Sequence, residues 1–350
     1  MTDKVTFIPK TLPGEMGRCE VFKSNNKVQF ASIVDISHPS EERIAAICPH
    51  YAECTGCHFL HTHYKNEIGF KKKSLLWELK KISAERHQVS MHTAPNRLNY
   101  RNRIQLHYDT ETNALGFINS HLKKIIPVPN CKIPVQEIQN ELKKLYRDDL
   151  WKKLIPSKRG HIELYWQKEN GLQVSINNEY AHGGFSQVNR EMNQQAMQII
   201  FQELHQREID GALDLFGGSG NLTKQLSNTK TYVVDNSPAL IDTYADHQEY
   251  IQANLYQQKS LGKIQLVVDR PIDLLILDPP RSGFKDLLHW TDTFAPKQIV
   301  YMSCNPSTMM RDLKTLSDNY ALEKIHLLDF FPSTYHYECL IFLGKKQQRP

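Results

Sequence analysis

The chain has 350 residues and 40% of them are hydrophobic, so it is long enough to bury the cores of two domains. Its mean hydropathy is −0.51, and no apolar run approaches the roughly 18 residues of a membrane span, which argues against an integral membrane protein. The net charge is only +5, but residues 65–103 carry ten Lys or Arg against three Glu, a local balance of +7. Such a basic block indicates a polyanionic partner, with a merely solvated helix face as the alternative.

The first residues show no targeting segment, because MTDKVTFIPK lacks the basic-then-apolar layout of a signal peptide. We therefore expect a cytoplasmic protein without a membrane partner. Alternating apolar residues, with Pro, Gly and Asn between them, predict short strands at residues 5–9, 18–22 and 30–36. These strands are too few for a complete barrel, so residues 1–45 are predicted to form a partial OB-like β segment.

Residues 46–185 are predicted to form a central domain of mixed α and β structure. Apolar residues at near-helical spacing, with lysines opposite, predict a helix over residues 64–85. A second helix is expected over residues 136–146. The segments RNRIQLHYD, LGFINS and IELYWQ are typical of strands, so the second half of this domain should be rich in sheet.

The pattern changes near residue 187, where strands and helices begin to alternate. A helix is predicted over residues 188–205, and another over 238–247 follows the strand TYVVD. Further strands are DLLILDPP and QIVYMSC, and residues 322–332 and 336–344 are predicted to form an antiparallel hairpin at the sheet edge. This alternation predicts an α/β domain over residues 186–350, with a parallel sheet whose ligands bind at the carboxyl ends of the strands.

A glycine loop, DLFGGSGN at residues 214–221, follows the first of these strands. Its glycines let a ligand approach the main chain, and the absence of a following Gly-Lys-Ser/Thr excludes a P-loop. The next strand ends in Asp235, whose carboxylate can accept hydrogen bonds from ribose hydroxyls. A dinucleotide and an adenosyl cofactor both fit this arrangement. Asp278 lies in an Asp-Pro-Pro turn that is typical of base-modifying methyltransferases and favours the adenosyl cofactor. A helix N-cap is the alternative role for Asp278.

Cys304 follows an apolar strand in YMSCNPSTMMRDL, where catalytic groups of α/β proteins lie. Arg311 and the helix after the cysteine are expected to stabilise a thiolate, although a buried structural cysteine would be the simpler interpretation of Cys304 alone. A thiolate that adds to carbon 6 of uracil makes carbon 5 nucleophilic toward a methyl sulfonium. A base must then remove the carbon-5 proton, and Glu338, at the start of an apolar strand, is the candidate.

Three of the seven cysteines, Cys48, Cys54 and Cys57, fall within ten residues, and Cys131 follows far downstream. In a reducing compartment this clustering indicates a metal site or catalysis before disulfides. Four thiolates suit either zinc or an iron–sulfur cluster, and the residues alone leave both open. The remaining pair, Cys19 and Cys339, fits no such set and is expected to be structural.

Taken together, CPHYAECTGC, FSQVNREMNQ, DLFGGSGN, LDPPRSG, VYMSCNPSTMMRDL and FPSTYHYE resemble the RNA uridine C5-methyltransferase family over roughly residues 48–343. The resemblance implies a Rossmann-like class I methyltransferase domain, S-adenosylmethionine as cofactor, Cys304 as nucleophile and Glu338 as base. It implies a [4Fe–4S] cluster on Cys48, Cys54, Cys57 and Cys131. It also implies a pocket for the cofactor and the base lined by Gln187, Phe216, Asn221, Asp235, Asn254 and Asp278.

Many members of that family begin with a complete small β-barrel that binds RNA, of which only the later strands are present here. The resemblance implies an RNA substrate, and we expect ribosomal RNA, of the 23S class, in preference to transfer RNA, with the enzyme acting as a monomer. A flipped uridine would be supported by aromatic groups such as Phe216 or Tyr335. An RNA-binding iron–sulfur protein without catalysis, and cytosine C5 methylation, are the alternatives. The coexistence of Cys304 and Glu338 argues against the first, and SCNP followed by HYE favours uracil.

Overall fold

The computed structural model describes residues 4–119, 121–178, 187–239 and 243–347. The chain divides into two compact units and passes from one to the other several times. The first unit comprises Met1–Phe70, Asn96–His182 and Phe331–Tyr335, and the second comprises Lys71–Pro95, Gly183–Phe330 and His336–Pro350. Sequence-adjacent residues such as Phe330 and Phe331 therefore belong to different units.

The strands follow the apolar segments of the sequence. In chain order they are β1 (Val5–Phe7), β2 (Met16–Ser24), β3 (Val28–His38), β4 (Val89–His92), β5 (Arg103–Asp109), β6 (Ala114–Asn119), β7 (Lys124–Ile126), β8 (Arg159–Gln167), β9 (Gly171–Ile176), β10 (Gly211–Leu215), β11 (Lys230–Asp235), β12 (Gln248–Gln252), β13 (Leu274–Leu277), β14 (Gln298–Ser303), β15 (Tyr320–Leu328) and β16 (Glu338–Lys345). The strands predicted near the N-terminus and between residues 100 and 185 are confirmed.

The α-helices differ in how clearly apolar and polar residues separate onto two faces, from strongly to hardly at all. They are α1 (Tyr64–Leu79), α2 (Gln136–Tyr146), α3 (Arg190–Leu204), α4 (Gln258–Val267), α5 (Leu287–Phe294) and α6 (Pro306–Lys314). In α2 the buried Ile138, Leu142 and Leu145 recur at helical spacing, as predicted. No helix in the described part of the chain combines the length and the apolar character needed to cross a membrane.

The first unit contains a small mixed sheet, a larger antiparallel sheet and its own core. A small sheet has the order β1-β3-β2, and a five-stranded sheet has the order β7-β6-β5-β8-β9. Alternate residues of β5 and β8, such as Leu106 and Ile162, are fully buried and pack with α2 residues in one apolar cluster. One face of the larger sheet is therefore buried in the core of this unit.

The second unit is built on an eight-stranded sheet with the order β12-β11-β10-β13-β14-β16-β15-β4. The strands from β12 to β14 are parallel, and every residue of β10 and β13 is buried, as expected for parallel strands covered on both faces. The predicted Rossmann-like fold is confirmed. The hairpin of β15 and β16 is also confirmed, but its predicted position at the edge was wrong, because β4 pairs with β15 beyond it.

The helix predicted over residues 238–247 is not found at the positions that the structure describes. Residues 243–247 are irregular or in turns and lead into β12, while residues 240–242 lie outside the described residues. The Tyr244 hydroxyl donates to the carbonyl of Gly218, and its ring stacks on Tyr250. These contacts with distant residues replace the local helical pattern.

Candidate active site

Strand register brings Cys304 and Glu338 together in the second unit. The strands β14 and β16 are antiparallel, and their last described pair is Ser303 with Cys339. The next position along the same ladder is therefore Cys304 opposite Glu338. Directly opposite residues project their side chains on the same face of a sheet, so the thiol and the carboxyl meet at its end.

Glu338 is a buried carboxyl with unused hydrogen-bonding capacity. Its side chain belongs to a residue that is 4% exposed, and Oε2 has no hydrogen-bond partner among the described residues. Burial raises the pKa of Glu338 well above its ordinary value, the nearby Asp278 raises it further, and Arg281 opposes the rise. A carboxyl with these properties can hold or take up a proton near neutral pH, as a general base requires.

Arg281 is a residue of this site that the sequence did not single out. Burial and the adjacent Glu338 raise the pKa of the Cys304 thiol to about 11, whereas the guanidinium of Arg281 lowers it. The expected role of Arg311 as the stabilising cation was wrong, because Arg311 donates to the Ser282 carbonyl and to Asp312. Arg281 lies in the LDPPRSG motif close to Asp278, and this position in the sequence could have identified it as a site residue.

Two side chains that follow Cys304 hold the turn that carries Arg281. The amide of Asn305 donates to the Arg281 carbonyl at 2.8 Å, and the hydroxyl of Thr308 donates to the same oxygen at 3.1 Å. The SCNPST segment therefore fixes the Asp-Pro-Pro-Arg turn through hydrogen bonds. This connection explains why a polar Asn and Thr follow the cysteine.

The glycine loop closes against the carboxylate at the end of β11. The Gly218 amide donates to Asp235 Oδ2 at 3.2 Å, and the Ser237 amide donates to Oδ1 at 2.8 Å. Gly220 has a φ of +67°, and a Cβ there would lie 2.6 Å from the Gln248 amide, so a larger residue would be strained and crowded. The predicted loop geometry and the position of Asp235 at the carboxyl end of its strand are both observed.

Phe216 lies in this loop with a φ of +59°, an uncommon conformation for a bulky residue. Its ring packs edge-on against Phe284, with centroids 5.1 Å apart, and also contacts Tyr256 at 5.6 Å. Backbone strain of this kind concentrates at ligand sites, which supports a binding role for the loop. Tyr256 is a further aromatic residue of this region that the sequence analysis did not identify.

The other predicted pocket residues have varied hydrogen-bond partners. Gln187 donates to Asp278 Oδ2 at 3.5 Å. Asn221 exchanges two hydrogen bonds with Asn193, at 2.7 and 3.0 Å. The side chain of Asn254 instead accepts from the amide of Tyr256 in its own turn.

Asp214 is a buried acid of this region that the sequence analysis did not assign. Its residue is 1% exposed, and its Oδ2 accepts from the Thr223 hydroxyl at 2.8 Å. Burial raises the pKa of Asp214 to about 7, with added contributions from Asp278 and Asp235, and the Thr223 bond opposes the rise. Acidic side chains thus converge below the glycine loop.

The basic block does not form one uniform surface. Lys71 is 2% exposed and forms an ion pair of 2.6 Å with the buried Asp329, so its expected contact with a polyanion was wrong. Arg103 is also buried, 3.6 Å from Glu163. The exposed basic residues of the block are Lys65, Lys72, Lys73, Lys80, Lys81 and Arg86.

In the first unit, the four clustered cysteines line one cavity. Its volume is about 430 Å³, and Cys48, Cys54, Cys57 and Cys131 all contribute to its wall. All four thiols are free, and three of them are buried. Burial raises the pKa of Cys131 to about 12, with further contributions from Cys48 and Cys54.

The four thiols are of a type that binds metals. Thiolates are the usual ligands of iron–sulfur clusters and also bind zinc. Within the described ranges, no group of three or more His, Cys, Asp or Glu is arranged to hold a metal ion. Lys10 adds a positive charge near the cavity and donates to the Cys54 carbonyl at 3.0 Å.

Tyr335 belongs to the first unit, where its ring lies edge-on to His58 with centroids 4.5 Å apart. It is 56% exposed. Its expected support of a flipped uridine stays a prediction, as does that of Phe216.

The Rossmann-like sheet, the glycine loop and the Cys304–Glu338 pair are the features expected of a methyltransferase of this kind. A family model described as tRNA (Uracil-5-)-methyltransferase matches residues 255–346, which include Asp278, Arg281, Cys304 and Glu338.

Relatives and a solved structure extend the likeness over nearly the whole chain. The 23S rRNA (uracil(1939)-C(5))-methyltransferase RlmD of Aliivibrio fischeri (strain MJ11) is 28% identical over 96% of this chain and 90% of its own. The protein of the same name from Vibrio vulnificus (strain CMCP6) is 26% identical over 99% and 92%. The structure of Pyrococcus abyssi tRNA (uracil-54, C5)-methyltransferase in complex with S-adenosyl-L-homocysteine has a TM-score of 0.73 and 21% identity, covering 97% of this chain and 96% of that chain. The family model and these relatives support a place for the chain among RNA uracil-5-methyltransferases.

Proposed function

We propose that this protein transfers a methyl group from S-adenosylmethionine to carbon 5 of a specific uridine in ribosomal RNA. The observation that carries the proposal is the register of β14 and β16, which sets a cysteine opposite a buried carboxyl. Uracil C5 methylation needs these two groups at one point, because the nucleophile must be released by the removal of a proton.

Cys304 is the proposed nucleophile. Its thiolate adds to carbon 6 of the uracil, the ring electrons move to the carbonyl at carbon 4, and carbon 5 becomes nucleophilic. Arg281 lowers the pKa of the thiol, and this favours the thiolate against burial and the neighbouring acids. Arg281 therefore acts on the nucleophile before the methyl group is transferred.

Glu338 is the proposed base. After carbon 5 accepts the methyl group, it still carries its original proton, and the carbon–sulfur bond cannot break until that proton leaves. Glu338 takes the proton, the double bond between carbons 5 and 6 returns, and the Cys304 thiolate is expelled. The Oε2 atom has no other hydrogen-bond partner among the described residues, so it is available for this transfer.

Gln187, Phe216, Asn221, Asp235, Asn254 and Asp278 are the proposed residues of the cofactor and base pocket. S-adenosylmethionine supplies an electrophilic methyl group when it is bound. Asp235, at the end of β11, suits the ribose hydroxyls, and the glycine loop allows close approach of the main chain. Asp278 lies between this loop and Cys304, since β13 pairs with both β10 and β14.

Cys48, Cys54, Cys57 and Cys131 are proposed to hold a [4Fe–4S] cluster. The supporting observations are one shared cavity of about 430 Å³, four free thiols and the charge of Lys10 nearby. The chemistry proposed for uridine involves no change of redox state. We therefore assign the cluster to the structure of the first unit.

Ribosomal RNA is the proposed substrate because the relatives named above, which align over at least nine tenths of both chains, carry names of 23S rRNA methyltransferases. The test is mass spectrometry of ribosomal and transfer RNA from a strain that lacks the gene. We expect one 5-methyluridine to disappear from 23S rRNA and to return with the wild-type gene but not with Cys304→Ala. Loss from transfer RNA instead would reassign the substrate, and no loss from either would contradict the proposed function.

A further inference from the structure

One face of α1 carries an exposed tryptophan among lysines that the proposed catalytic steps do not use. Trp77 is 66% exposed, whereas Leu79 on another side of the helix is fully buried. Lys73 lies four residues before Trp77, and Lys80 and Lys81 lie three and four residues after it. Helical spacing places Lys73 beside the indole, and Lys80 and Lys81 lie in the short 3-10 helix that directly follows α1.

Lys80 contacts the Trp77 ring, and Lys81 bonds to polar side chains. The Lys80 ammonium lies 4.9 Å from the centroid of the Trp77 ring, a cation–π distance. The Lys81 ammonium donates to the Ser307 hydroxyl at 2.9 Å and pairs with Glu78 at 2.5 Å. Three positive charges and one negative charge thus surround an exposed aromatic surface.

This surface lies near the proposed nucleophile within the second unit. Ser307, which accepts the Lys81 bond, is at the start of α6, three residues after Cys304. Three residues of chain span at most about 11 Å. A nucleotide bound on this face of α1 would therefore be near, along the RNA, to a uridine bound at Cys304.

We propose that Trp77, with Lys73, Lys80 and Lys81, forms a platform that binds an unpaired nucleotide of the substrate RNA beside the target uridine. The base stacks on the indole and the lysines contact the phosphates. Aromatic rings combined with basic side chains are the usual means of holding single-stranded nucleic acid. The inference rests on the proposed function, because it takes RNA as the substrate.

The test measures binding of a dye-labelled, single-stranded oligouridylate to the full-length protein with its cluster intact. Trp77→Ala should raise the Kd by about 5-fold to 100-fold, the range expected for removal of one base–aromatic stack. Trp77→Phe should recover most of the affinity because it keeps an aromatic face. Lys80→Gln should reduce the slope of log Kd against log salt concentration by about 0.7.

Phe201→Ala is the matched control. Phe201 is an exposed aromatic residue of α3 in the same unit, 47% exposed and stacked on His205, with no lysine at helical neighbour positions. It should leave the Kd unchanged. Equal affinities for Trp77→Ala and the wild type, or equal losses in Trp77→Ala and Phe201→Ala, would overturn the proposal.

Methyl transfer separates this inference from the proposed function. With substrate RNA, Trp77→Ala should raise KM while kcat at saturating RNA stays near the wild-type value. If wild-type protein methylates RNA but Trp77→Ala has an unchanged KM, the platform is wrong and the proposed function stands. If wild-type protein methylates no RNA but Trp77→Ala still weakens oligouridylate binding, the proposed function fails and the platform stands.

Discussion

The two units each gather buried groups that repel one another when ionised, but they do so by different means. In the second unit Asp278 and Glu338 lie at the ends of hydrogen-bonded strands, and Arg281 offsets part of their charge. In the first unit the four thiols come from loops, with Cys131 far along the chain from Cys57, around a cavity. Strand register alone can build the site of the second unit. We expect the site of the first unit to depend on the group that fills its cavity.

The largest expected effect concerns Cys304 and Glu338, which the register of β14 and β16 brings together. Cys304→Ala should abolish methylation, because nothing then activates carbon 5 of uracil. Glu338→Gln should allow attack and methyl transfer but block loss of the carbon-5 proton, so that a covalent adduct accumulates. The measurement is a denaturing gel with methyl-labelled cofactor, on which only Glu338→Gln should show an RNA-shifted labelled band.

Two results would break this assignment. A shifted band in Cys304→Ala would identify another nucleophile. Wild-type turnover by Glu338→Gln would move the role of base to another residue, with His336 as the nearest in sequence among the histidines of the second unit.

We expect the stability of the first unit to depend on the proposed cluster in its cysteine cavity. Anaerobically purified protein should be brown and contain about four irons per chain, and Cys54→Ser or Cys131→Ser should lose the iron and destabilise the first unit. Iron analysis and the visible spectrum report the first effect, and thermal unfolding reports the second. The control is Cys19→Ser, at an exposed position on β2, which should keep its iron.

Colourless protein with one stoichiometric zinc would contradict the iron–sulfur assignment. Cys54→Ser protein that retains full iron content would remove Cys54 from the ligand set. Either outcome would also weaken the contrast between the two units.

The next prediction concerns how much the buried ion pair of Lys71 and Asp329 stabilises the second unit. Lys71→Met removes the ammonium that pairs with the fully buried Asp329, and should cost about 3–5 kcal/mol in the free energy of unfolding. Lys72→Met, at an exposed position of the same helix, should change it by less than about 0.5 kcal/mol. Urea unfolding compares the two, and Asp329→Leu added to Lys71→Met should restore much of the loss. Equal free energies of unfolding for the two single variants would show that the ion pair does not stabilise the second unit.

The smallest expected effect concerns Arg281. Because the pKa of Cys304 is about 11, its thiol is protonated at neutral pH, and its alkylation by iodoacetamide should accelerate as the pH rises toward 11. Arg281→Gln removes the cation that lowers this pKa and should slow alkylation at fixed pH, about tenfold for each unit by which the pKa rises. Arg281→Lys should retain most of the wild-type rate. Identical pH profiles for Arg281→Gln and the wild type would show that this guanidinium does not act on the thiol.

The sequence singled out Cys304 and Glu338, the proposed catalytic residues, because its signals are local. Cys304 follows an apolar strand and Glu338 begins another, and the end of a strand lies beside the start of its antiparallel partner. The glycine loop and Asp235 follow parallel strands, whose carboxyl ends share one edge of the sheet. Each of these residues is placed by the strand that carries it.

Residues placed by distant partners could not be predicted in this way. Lys71 has the spacing of a solvent-exposed lysine, but it pairs with Asp329, 258 positions away. At the described positions of the helix expected over residues 238–247, Tyr244 contacts Gly218 and Tyr250 instead of forming helical contacts. Arg281 was overlooked because its effect falls on a cysteine further along the chain, which motif reading alone does not connect to it.

The ladder between β14 and β16 also limits which changes in chain length a lineage of such proteins can survive. Side chains alternate between the two faces of a sheet, so insertion or deletion of a single residue within either strand would turn Glu338 away from Cys304 and present Tyr337 or Cys339 in its place. Both neighbours are buried, so the slip would also push an apolar side chain out of the core. Point substitutions can therefore accumulate along these strands, while gains and losses of residues should be confined to the turns around them.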